Sequence, residues 1–245
     1  MRVAVIADIH ANLAALEACL DSIEEAGVDE VWCLGDVVGY GPDPDACADL
    51  VRERCSLCLA GNHDLAVLGE LDVESFSESA AAAVTWTRRV ISEATLEFLR
   101  GLAPAGQREG IELCHASPRD PIWEYVLTRE QADACLDAQS ERICLIGHSH
   151  VALFFTRLDG ARGNVRSAQA ADGSLIDVSG GRWLVNPGSV GQPRDSDPRA
   201  AWLTLDTEAA TVLYRRVAYD IEKTAAAIAS ADLPQPLADR LFIGH

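Results

Sequence analysis

Two patterns in the 245-residue sequence predict an α/β fold. Short apolar runs alternate with amphipathic segments through residues 1–150, as expected for parallel strands joined by helical crossovers. After residue 150, apolar runs are separated by Gly, Asp, Asn and Pro at hairpin-like spacing, which predicts antiparallel strands. We therefore predict one domain over 1–245, with a parallel βαβ half (1–150), antiparallel strands of a second sheet (151–220) and C-terminal helices (220–245).

Residues 1–60 carry the clearest alternation of strand and helix. The run from Val3 to Ala7 is typical of a buried strand. A helix follows, with Asn12 as its N-cap and Gly27 as its stop signal, because the apolar residues between them recur on one face. The next predicted elements are a strand over 31–34, a helix over about 45–54 and a strand over 56–60.

The middle of the chain is predicted to be mainly helical. Residues 65–110 contain an Ala-rich stretch over 80–83 and a second helical stretch over 92–102. Ordinary packing helices over the sheet are the favoured interpretation, and a lid over a site is the alternative. A further helix over 128–138 separates two apolar runs that end in His115 and His148.

The composition indicates a folded protein with a substantial core. Hydrophobic residues make up 49% of the chain, and no apolar run approaches the roughly 18 residues of a membrane helix. Asp8 interrupts the first apolar run early, so we expect no signal peptide and a cytoplasmic location. The net charge of −18 argues against nonspecific nucleic acid binding and against a membrane partner. The cysteines fall mostly within apolar runs, where a free thiol behaves as a small hydrophobic group.

Side chains of the kind that bind metals follow five of the apolar runs. They form the motifs Asp8-x-His10, Gly35-Asp36, Gly61-Asn62-His63-Asp64, His115 and Gly147-His148-Ser149-His150. Each motif alone also fits a helix cap or a buried histidine, but all five close a predicted strand. The carboxyl ends of strands are where open α/β sheets place their binding sites. The five motifs together therefore predict a metal site.

The predicted metal site holds two divalent ions. Its candidate ligands are Asp8, His10, Asp36, Asn62, His115, His148 and His150. Two ions about 3.5–4 Å apart can clamp a phosphate group, and such a site needs a carboxylate that bridges them. Imidazole and carboxylate ligands suit Mn, Fe, Zn, Co or Ni better than Mg, and we favour Mn. The ions would also reverse the local acidic field that an anionic phosphate ester meets.

The motif set resembles that of the calcineurin-like metallophosphoesterase superfamily. The later segment Asn186-Pro-Gly-Ser-Val-Gly-Gln-Pro-Arg194 is similar to the small YfcE-like phosphodiesterase branch. The resemblance implies an αββα sandwich, in which two mixed sheets pack face to face with helices outside. It also implies a hydrolase that cleaves a small-molecule phosphodiester by in-line attack of a hydroxide bound to both metals.

The resemblance also distributes the site residues. It puts one metal on Asp8, His10, Asp36 and His150. It puts the second metal on Asp36, Asn62, His115 and His148, so that Asp36 bridges the two ions. His63 would be a catalytic histidine that binds no metal and donates a proton to the leaving-group oxygen.

One motif departs from the family pattern. Many members continue Gly-Asp with two residues and then Asp-Arg-Gly, whereas Gly35-Asp36 continues here as Val37-Val38-Gly39. The acidic partner of the catalytic histidine and a phosphate-binding arginine are absent from their usual place, which argues against protein phosphatase and dinucleotide polyphosphatase activities. Asp64 either orients His63, as a second catalytic residue, or caps the following helix.

Substrate contacts are predicted at Asn62, Arg119 and Arg194. Both arginines lie in turn-rich segments, from which a guanidinium can bind a phosphate through two hydrogen bonds; bracing of a surface loop is the alternative. Trp123 and Tyr125 are expected in the core rather than beside an aromatic ester.

Two other functions stay open beside the phosphodiesterase. A phosphomonoesterase or nucleotidase would use the same site. A non-catalytic interaction scaffold of the same fold is disfavoured because every ligand position is filled. The expected partner is a small phosphate ester, and a homo-oligomer is possible.

Overall fold

Two six-stranded mixed sheets pack face to face in the computed structural model, which describes residues 1–158 and 163–245. Helices pack on the outer faces of both sheets. The predicted α/β fold is thereby confirmed as an αββα sandwich.

Strands from both ends of the chain contribute to the two sheets. In chain order they are β1 (Arg2–Ile6), β2 (Glu30–Cys33), β3 (Leu57–Cys58), β4 (Ala105–Arg108), β5 (Ile111–Cys114), β6 (Ile143–Leu145), β7 (Ala152–Arg157), β8 (Arg166–Gln169), β9 (Leu175–Asp177), β10 (Arg182–Pro187), β11 (Ala200–Asp206) and β12 (Thr211–Val217). The first sheet has the order β3-β2-β1-β11-β12-β9, and the second has the order β4-β5-β6-β10-β7-β8. Five strands are followed by the metal motifs. In the first sheet β1, β2 and β3 run parallel to one another, and in the second sheet β5 runs parallel to β6.

The helices follow the predicted order closely. They are α1 (Leu13–Ala26), α2 (Pro44–Arg54), α3 (Asn62–Leu68), α4 (Glu78–Val90), α5 (Glu93–Arg100), α6 (Arg129–Ala138), α7 (Ile221–Ser230) and α8 (Gln235–Asp239), with 3₁₀ turns at Val73–Ser75 and Arg240–Phe242. The ends of α1 are as predicted, since the Asn12 side chain accepts a hydrogen bond from the Ala15 amide at 3.2 Å. Gly27 ends the helix in the left-handed conformation, with a φ of 65°.

The central strand β1 is buried on both faces. Val3 and Val5 face the second sheet, while Ala4 and Ile6 face α1 and the other helices of the first sheet. This alternation follows from the two-residue repeat of a strand, and burial on both faces explains why the run is apolar throughout. The rigid core therefore reaches directly to the end of β1, where Asp8 begins the site.

The predicted division of the strands by sequence is wrong. Strands β9, β11 and β12 were expected in a second sheet but belong to the first. In that sheet β11 pairs antiparallel with β1, and Val3 is the pairing partner of Leu205. Strands β4, β5 and β6, expected in the parallel half, belong to the second sheet. The reason is that β1 pairs with β2 on only one side, so its other edge is closed by a strand from the far end of the chain. Residues 159–162, within the predicted 151–220 segment, lie outside the described residues.

Candidate metal centre

The structure brings all seven predicted ligands together at the carboxyl ends of strands from both sheets. Two groups have ligand atoms within 4.8 Å of one another. The first group is Asp8, His10, Asp36 and His150, and the second is Asp36, His115 and His148. Asn62 joins the second group, because its Oδ1 lies 3.2 Å from His115 Nε2. The seven side chains come from both sheets, since His115, His148 and His150 follow strands of the second sheet.

Asp36 occupies the position of a bridging ligand. Its Oδ2 atom lies 3.5 Å from His10 Nε2 in the first group and 3.6 Å from His115 Nε2 in the second. The same oxygen has no hydrogen-bond partner among the described residues, although it is buried. The other oxygen, Oδ1, accepts a hydrogen bond from the His63 amide at 2.8 Å. One oxygen is thus held by the protein, while the other is free to bind cations.

Backbone carbonyl groups orient three of the four ligand histidines. The Nδ1 atom of His10 contacts the Val38 oxygen at 3.2 Å, and that of His115 contacts the Leu34 oxygen at 2.9 Å. His150 Nδ1 contacts the Gln192 oxygen at 2.7 Å. A carbonyl oxygen only accepts, so each Nδ1 carries the proton and each Nε2 presents a lone pair to the centre.

The backbone of the site is held in an unusual conformation. Five of the predicted ligands have left-handed φ angles, between 50° and 62°: Asp8, His10, Asp36, His148 and His150. Residues with a Cβ rarely adopt this region, and each instance costs of order 1–3 kcal/mol. Gly61 lies so close to Asp36 that a Cβ at residue 61 would stand 2.0 Å from Asp36 Oδ1. The surrounding fold therefore fixes the ligands at some cost in stability, which is typical of functional sites.

Burial controls the protonation of the centre. It raises the pKa of Asp36 to about 7 and, together with the charge of Asp36, it raises the pKa of Asp8 well above its usual value. Burial lowers the pKa of His115 to about 4 and that of His148 well below the usual range. Buried carboxylates are costly without a cation beside them, and neutral imidazoles are the form that binds metals.

The donor set fits a pair of divalent ions. His10 Nε2 and His150 Nε2 face each other at 3.1 Å, and His148 Nε2 is buried without a hydrogen-bond partner among the described residues. With their Nδ1 protons committed elsewhere, two facing lone pairs repel unless a cation lies between or beside them. The seven side chains can therefore hold two cations, with Asp36 shared.

His63 lies beside the candidate ligands but belongs to neither ligand group. Its ring packs against His10 at 4.9 Å, Tyr40 at 4.3 Å and Phe76 at 5.0 Å between centroids. The buried Nδ1 atom has no hydrogen-bond partner among the described residues and faces Gly39, where a Cβ would stand 2.5 Å away. Nε2 is the ring nitrogen left to meet a ligand. Burial, followed by the charge of Arg194, lowers the pKa of His63 to about 3, so the ring is neutral at pH 7.

Asp64 has the contacts of a helix cap, one of its two predicted roles. Its carboxylate accepts hydrogen bonds from the amides of Gly61 at 2.9 Å, Val38 at 3.0 Å and Val37 at 3.3 Å. None of its hydrogen bonds among the described residues goes to the His63 ring. Asp64 therefore caps α3 and ties it to the loop after Asp36, which positions His63 through the backbone.

A pocket of about 390 Å³ opens above the ligands. It is lined by Asp36, Tyr40, Asn62, His63, Ser75, Phe76, Ser77, Ala80, Trp123, Tyr125, His148, His150, Arg194 and Arg240. Ligand pockets for small molecules commonly have volumes of about 300–1,000 Å³. The 3₁₀ turn Val73–Ser75 and the start of α4 form part of the wall, so the helical region 65–110 serves both packing and the pocket.

The predicted substrate contacts have different outcomes. Arg194 lies in the pocket, as does Asn62. Arg119 does not line the pocket. Its side chain is 46% exposed, and its Nη2 atom lies 3.5 Å from Glu124 Oε1, as expected for an arginine that braces a surface loop. Trp123 and Tyr125 line the pocket, so the expectation that they pack in the core was wrong. Their segment, between β5 and α6, has no regular element that would bury them.

Sequence reasoning missed two residues that line the pocket, Phe76 and Arg240, and one residue beside it, Gln192. Phe76 contacts both His63 and Trp123, with ring centroids 5.0 Å apart in each pair. Gln192 orients His150 through its carbonyl group and contacts two arginines through its side chain. Arg240 reaches the pocket from the C-terminal 3₁₀ turn. No local motif marks Phe76 or Arg240, whereas Gln192 lies within the segment from Asn186 to Arg194 that resembles the YfcE-like branch.

Comparison with known proteins identifies the family. The model of the calcineurin-like phosphoesterase superfamily domain matches residues 1–209, and the chain belongs to this superfamily. The solved structure of a metallophosphoesterase from Sphaerobacter thermophilus is 40% identical and superposes with a TM-score of 0.90. That match covers 100% of this chain and 99% of the other. The predicted superfamily is thereby confirmed.

Two archaeal proteins are also similar over their whole length. An uncharacterised protein of Methanocaldococcus jannaschii is 37% identical over 249 residues, which is 99% of this chain and 98% of that protein. The structure of a hypothetical protein from Pyrococcus horikoshii OT3 is 20% identical, with a TM-score of 0.80, and the match covers 100% and 98% of the two chains. The second likeness shows the fold alone.

The described residues contain no helix that is long and apolar enough to cross a membrane.

All eight cysteines are free thiols, and six of them are buried, in agreement with their prediction as small core residues. The predicted location and oligomeric state stay predictions.

Proposed function

We propose that the protein is a metal-dependent phosphoesterase that hydrolyses a small-molecule phosphodiester, with Mn as the favoured metal. The observation that carries this proposal is the position of Asp36 Oδ2, which lies 3.5 and 3.6 Å from histidine nitrogens of two ligand groups and accepts no hydrogen bond from the described residues. A buried carboxylate oxygen between two sets of neutral imidazoles is the arrangement that a pair of cations requires.

The residues have separate roles in this proposal. Asp8, His10, Asp36 and His150 would hold one ion, and Asp36, Asn62, His115 and His148 the other. When bound, the two ions would supply a strong nucleophile from water and would neutralise charge on the phosphoryl oxygens. His63, neutral in the free protein, would donate a hydrogen bond from Nε2 to the leaving-group oxygen, and transfer of a proton to that oxygen would use the imidazolium form, which a bound anionic phosphate stabilises. Arg194 lies in the same pocket, where its guanidinium would bind an anionic oxygen of the substrate.

Arg194 supplies a charge that the motifs lack. The family's phosphate-binding arginine after Gly35-Asp36 is absent, but Arg194 reaches the same pocket from the loop after β10. Its guanidinium lies 5.8 Å from the centre of the Tyr40 ring, and Tyr40 in turn packs against His10 and His63. A cation that could take the place of the missing arginine therefore lies beside the centre, on a different segment.

The shape of the pocket favours a diester over a monoester. Aromatic side chains form one wall (Phe76, Trp123 and Tyr125), and Arg194 lies with Tyr40. A diester carries a group on each of two ester oxygens, and the pocket has about 390 Å³ of room for them. A phosphomonoesterase is the alternative, favoured by the extra arginine charge that a dianionic monoester would use.

Paired assays test the proposal. Freshly purified protein is loaded with Mn, and metal analysis should then find two divalent ions per chain. Hydrolysis of bis(p-nitrophenyl) phosphate should depend on Mn and should exceed that of p-nitrophenyl phosphate. Preference for the monoester would favour the alternative, while two bound ions with no turnover of either ester would favour a non-catalytic scaffold. Protein treated with a chelator and then reloaded is the control for irreversible unfolding.

A further inference from the structure

Two arginines meet in the pocket, and the carboxylates of Asp8 and Asp36 act on Arg194 at longer range than an ion pair. Arg194 Nη2 donates to the Gln192 side-chain oxygen at 2.9 Å, and Arg240 Nη1 donates to the same oxygen at 3.0 Å. Arg194 also donates to the Tyr40 hydroxyl at 3.3 Å. The chain has 38 acidic and 20 basic residues, yet neither guanidinium forms an ion pair with a carboxylate of the described residues. In so acidic a protein, two adjacent unpaired cations call for a reason.

The two guanidinium groups also have unsatisfied donors. The Nε atoms of Arg194 and Arg240 are both buried and have no hydrogen-bond partner among the described residues. Burial and the charge of Arg194 lower the pKa of Arg240, which reflects the repulsion between the two groups. Buried donors without acceptors and neighbouring like charges both destabilise a fold. An anion between the two groups would accept from both and remove the repulsion.

We propose that Arg194 and Arg240 form an anion subsite for a second negatively charged group of an aromatic phosphate ester. The proposal deepens the proposed function, on which it rests, because it places the reacting phosphoryl group at the metal ligands. The subsite adjoins those ligands directly: the Arg194 amide donates to the His150 carbonyl at 3.1 Å, and the Gln192 carbonyl accepts from His150 Nδ1 at 2.7 Å. One segment thus orients a metal ligand and holds the arginine pair.

The aromatic side chains of the pocket explain the aromatic part of the ligand. Trp123 packs edge-on against Phe76 at 5.0 Å, and the half-exposed Tyr125 ring lies 4.2 Å from His148. Flat aromatic surfaces bordering a phosphate site can stack on a ring of the substrate. The substrate class is therefore a phosphate ester that carries a flat ring and a second anionic group, such as a nucleotide with more than one phosphate.

Arg240 comes from a part of the chain outside the shared superfamily domain. The family match ends at residue 209, and Arg240 begins the 3₁₀ turn that follows α8. The neighbouring Leu237 and Leu241 are buried in a cluster with Tyr40 and Ala80, which anchors the turn to the pocket wall. The shared domain supplies the metal ligands, while the C-terminal segment adds a residue that selects among substrates.

Direct binding tests the subsite without turnover. The probes are phenylphosphonate and its meta and para diphosphonates, whose C–P bonds resist hydrolysis, titrated calorimetrically into Mn-loaded protein. We expect at least one diphosphonate to bind about 10–100-fold more tightly than phenylphosphonate, the range that charge-assisted hydrogen bonds provide. Arg240→Gln should reduce this preference to about 3-fold or less while leaving the affinity for phenylphosphonate within about 2-fold. Arg240→Lys should retain an intermediate preference, because it keeps the charge but not the fork of donors.

The outcomes separate the subsite from the catalytic proposal. Arg119→Gln is the matched control, an arginine near the pocket that does not line it, and it should keep the full preference. A preference that survives Arg240→Gln, or no preference in the unmodified protein, would overturn the subsite. The subsite would also be overturned if Arg240→Gln bound phenylphosphonate more weakly and melted at a lower temperature. These two changes together would assign Arg240 a structural role. Failure of the Mn-loaded protein to cleave bis(p-nitrophenyl) phosphate contradicts the proposed function instead, whatever the diphosphonate preference.

Discussion

The metal centre and the pocket wall are built in different ways. The ligands follow strand ends directly, and backbone carbonyl groups fix the rings of His10, His115 and His150. The wall is assembled from loops, the start of α4 and a C-terminal turn, and its side chains are held by ring contacts, the Gln192 side-chain oxygen and the Tyr40 hydroxyl. The centre is therefore fixed by the backbone, whereas the wall depends on side chains that can change independently. The two regions meet at Gln192, whose carbonyl group contacts His150 and whose side chain contacts both arginines.

The largest expected effect is at the shared ligand. Asp36→Ala should lower turnover by at least about 10³-fold, because metal ions contribute several kcal/mol to the transition state and both ions lose a ligand. Metal analysis should find fewer than two ions per chain. Asp49→Ala, at a 62% exposed aspartate outside the site, is the control and should keep both ions. Two retained ions in Asp36→Ala would show that the carboxylate does not bridge.

The next effect separates His63 from the ligands. His63→Ala should lower kcat by about 10²–10⁴-fold, the usual contribution of acid–base catalysis, with both metals retained. Kinetics and metal analysis of the same preparation check this. Loss of a metal in the variant would mean that the division of roles between His63 and the seven ligands is wrong.

The contact between Gly39 and His63 tests how rigidly the backbone fixes the site. Gly39→Ala should lower kcat by up to about 10²-fold with the metals retained, because a Cβ would stand 2.5 Å from His63 Nδ1 and displace the ring. Gly69→Ala is a matched control, since Gly69 has a similar φ of 85° but no atom within 4 Å of a Cβ. Both variants strain the backbone, but only Gly39→Ala should affect kcat. Equal losses in the two would contradict the role of this contact.

Smaller effects are expected in the wall. Trp123→Ala should raise KM for an aryl phosphodiester about 3–10-fold and leave kcat nearly unchanged, since an aromatic pair contributes about 0.5–1.5 kcal/mol. Bis(p-nitrophenyl) phosphate and an alkyl diester provide the comparison, and the alkyl diester should show less change. A loss confined to kcat would move Trp123 from the wall into the chemistry.

The smallest effect is expected at Arg119. Arg119→Ala should change kcat/KM by less than about 2-fold, because its exposed guanidinium faces Glu124 and not the pocket. Arg194→Ala, measured alongside, should lower kcat/KM by about 10–100-fold through the loss of a charge-assisted phosphate contact. Similar values for the two variants would remove the distinction that the structure makes between them.

Local patterns were sufficient for most of the elements and for the list of candidate ligands, but not for β4, which lies within the stretch predicted to be mainly helical. The buried run that ends at Asp8, the Asn12 cap and the Gly27 stop are encoded within a few residues of one another, and all three are found in the structure. The ligand set could be listed because each motif directly follows its own strand. The role of Asp64 could not be decided, since its carboxylate contacts Val37 and Val38, which are distant in sequence.

The sequence by itself predicted the fold class, the order of the helices and the seven candidate ligands that the structure brings together, because hydrophobic periodicity and strand-end motifs are local. Only the tertiary structure decided which sheet each strand joins, the capping role of Asp64 and the meeting of Arg194 with Arg240. These depend on contacts between residues far apart in the chain, such as the pairing of β1 with β11. Such contacts are selected by packing of the whole molecule, and no short stretch of sequence encodes them.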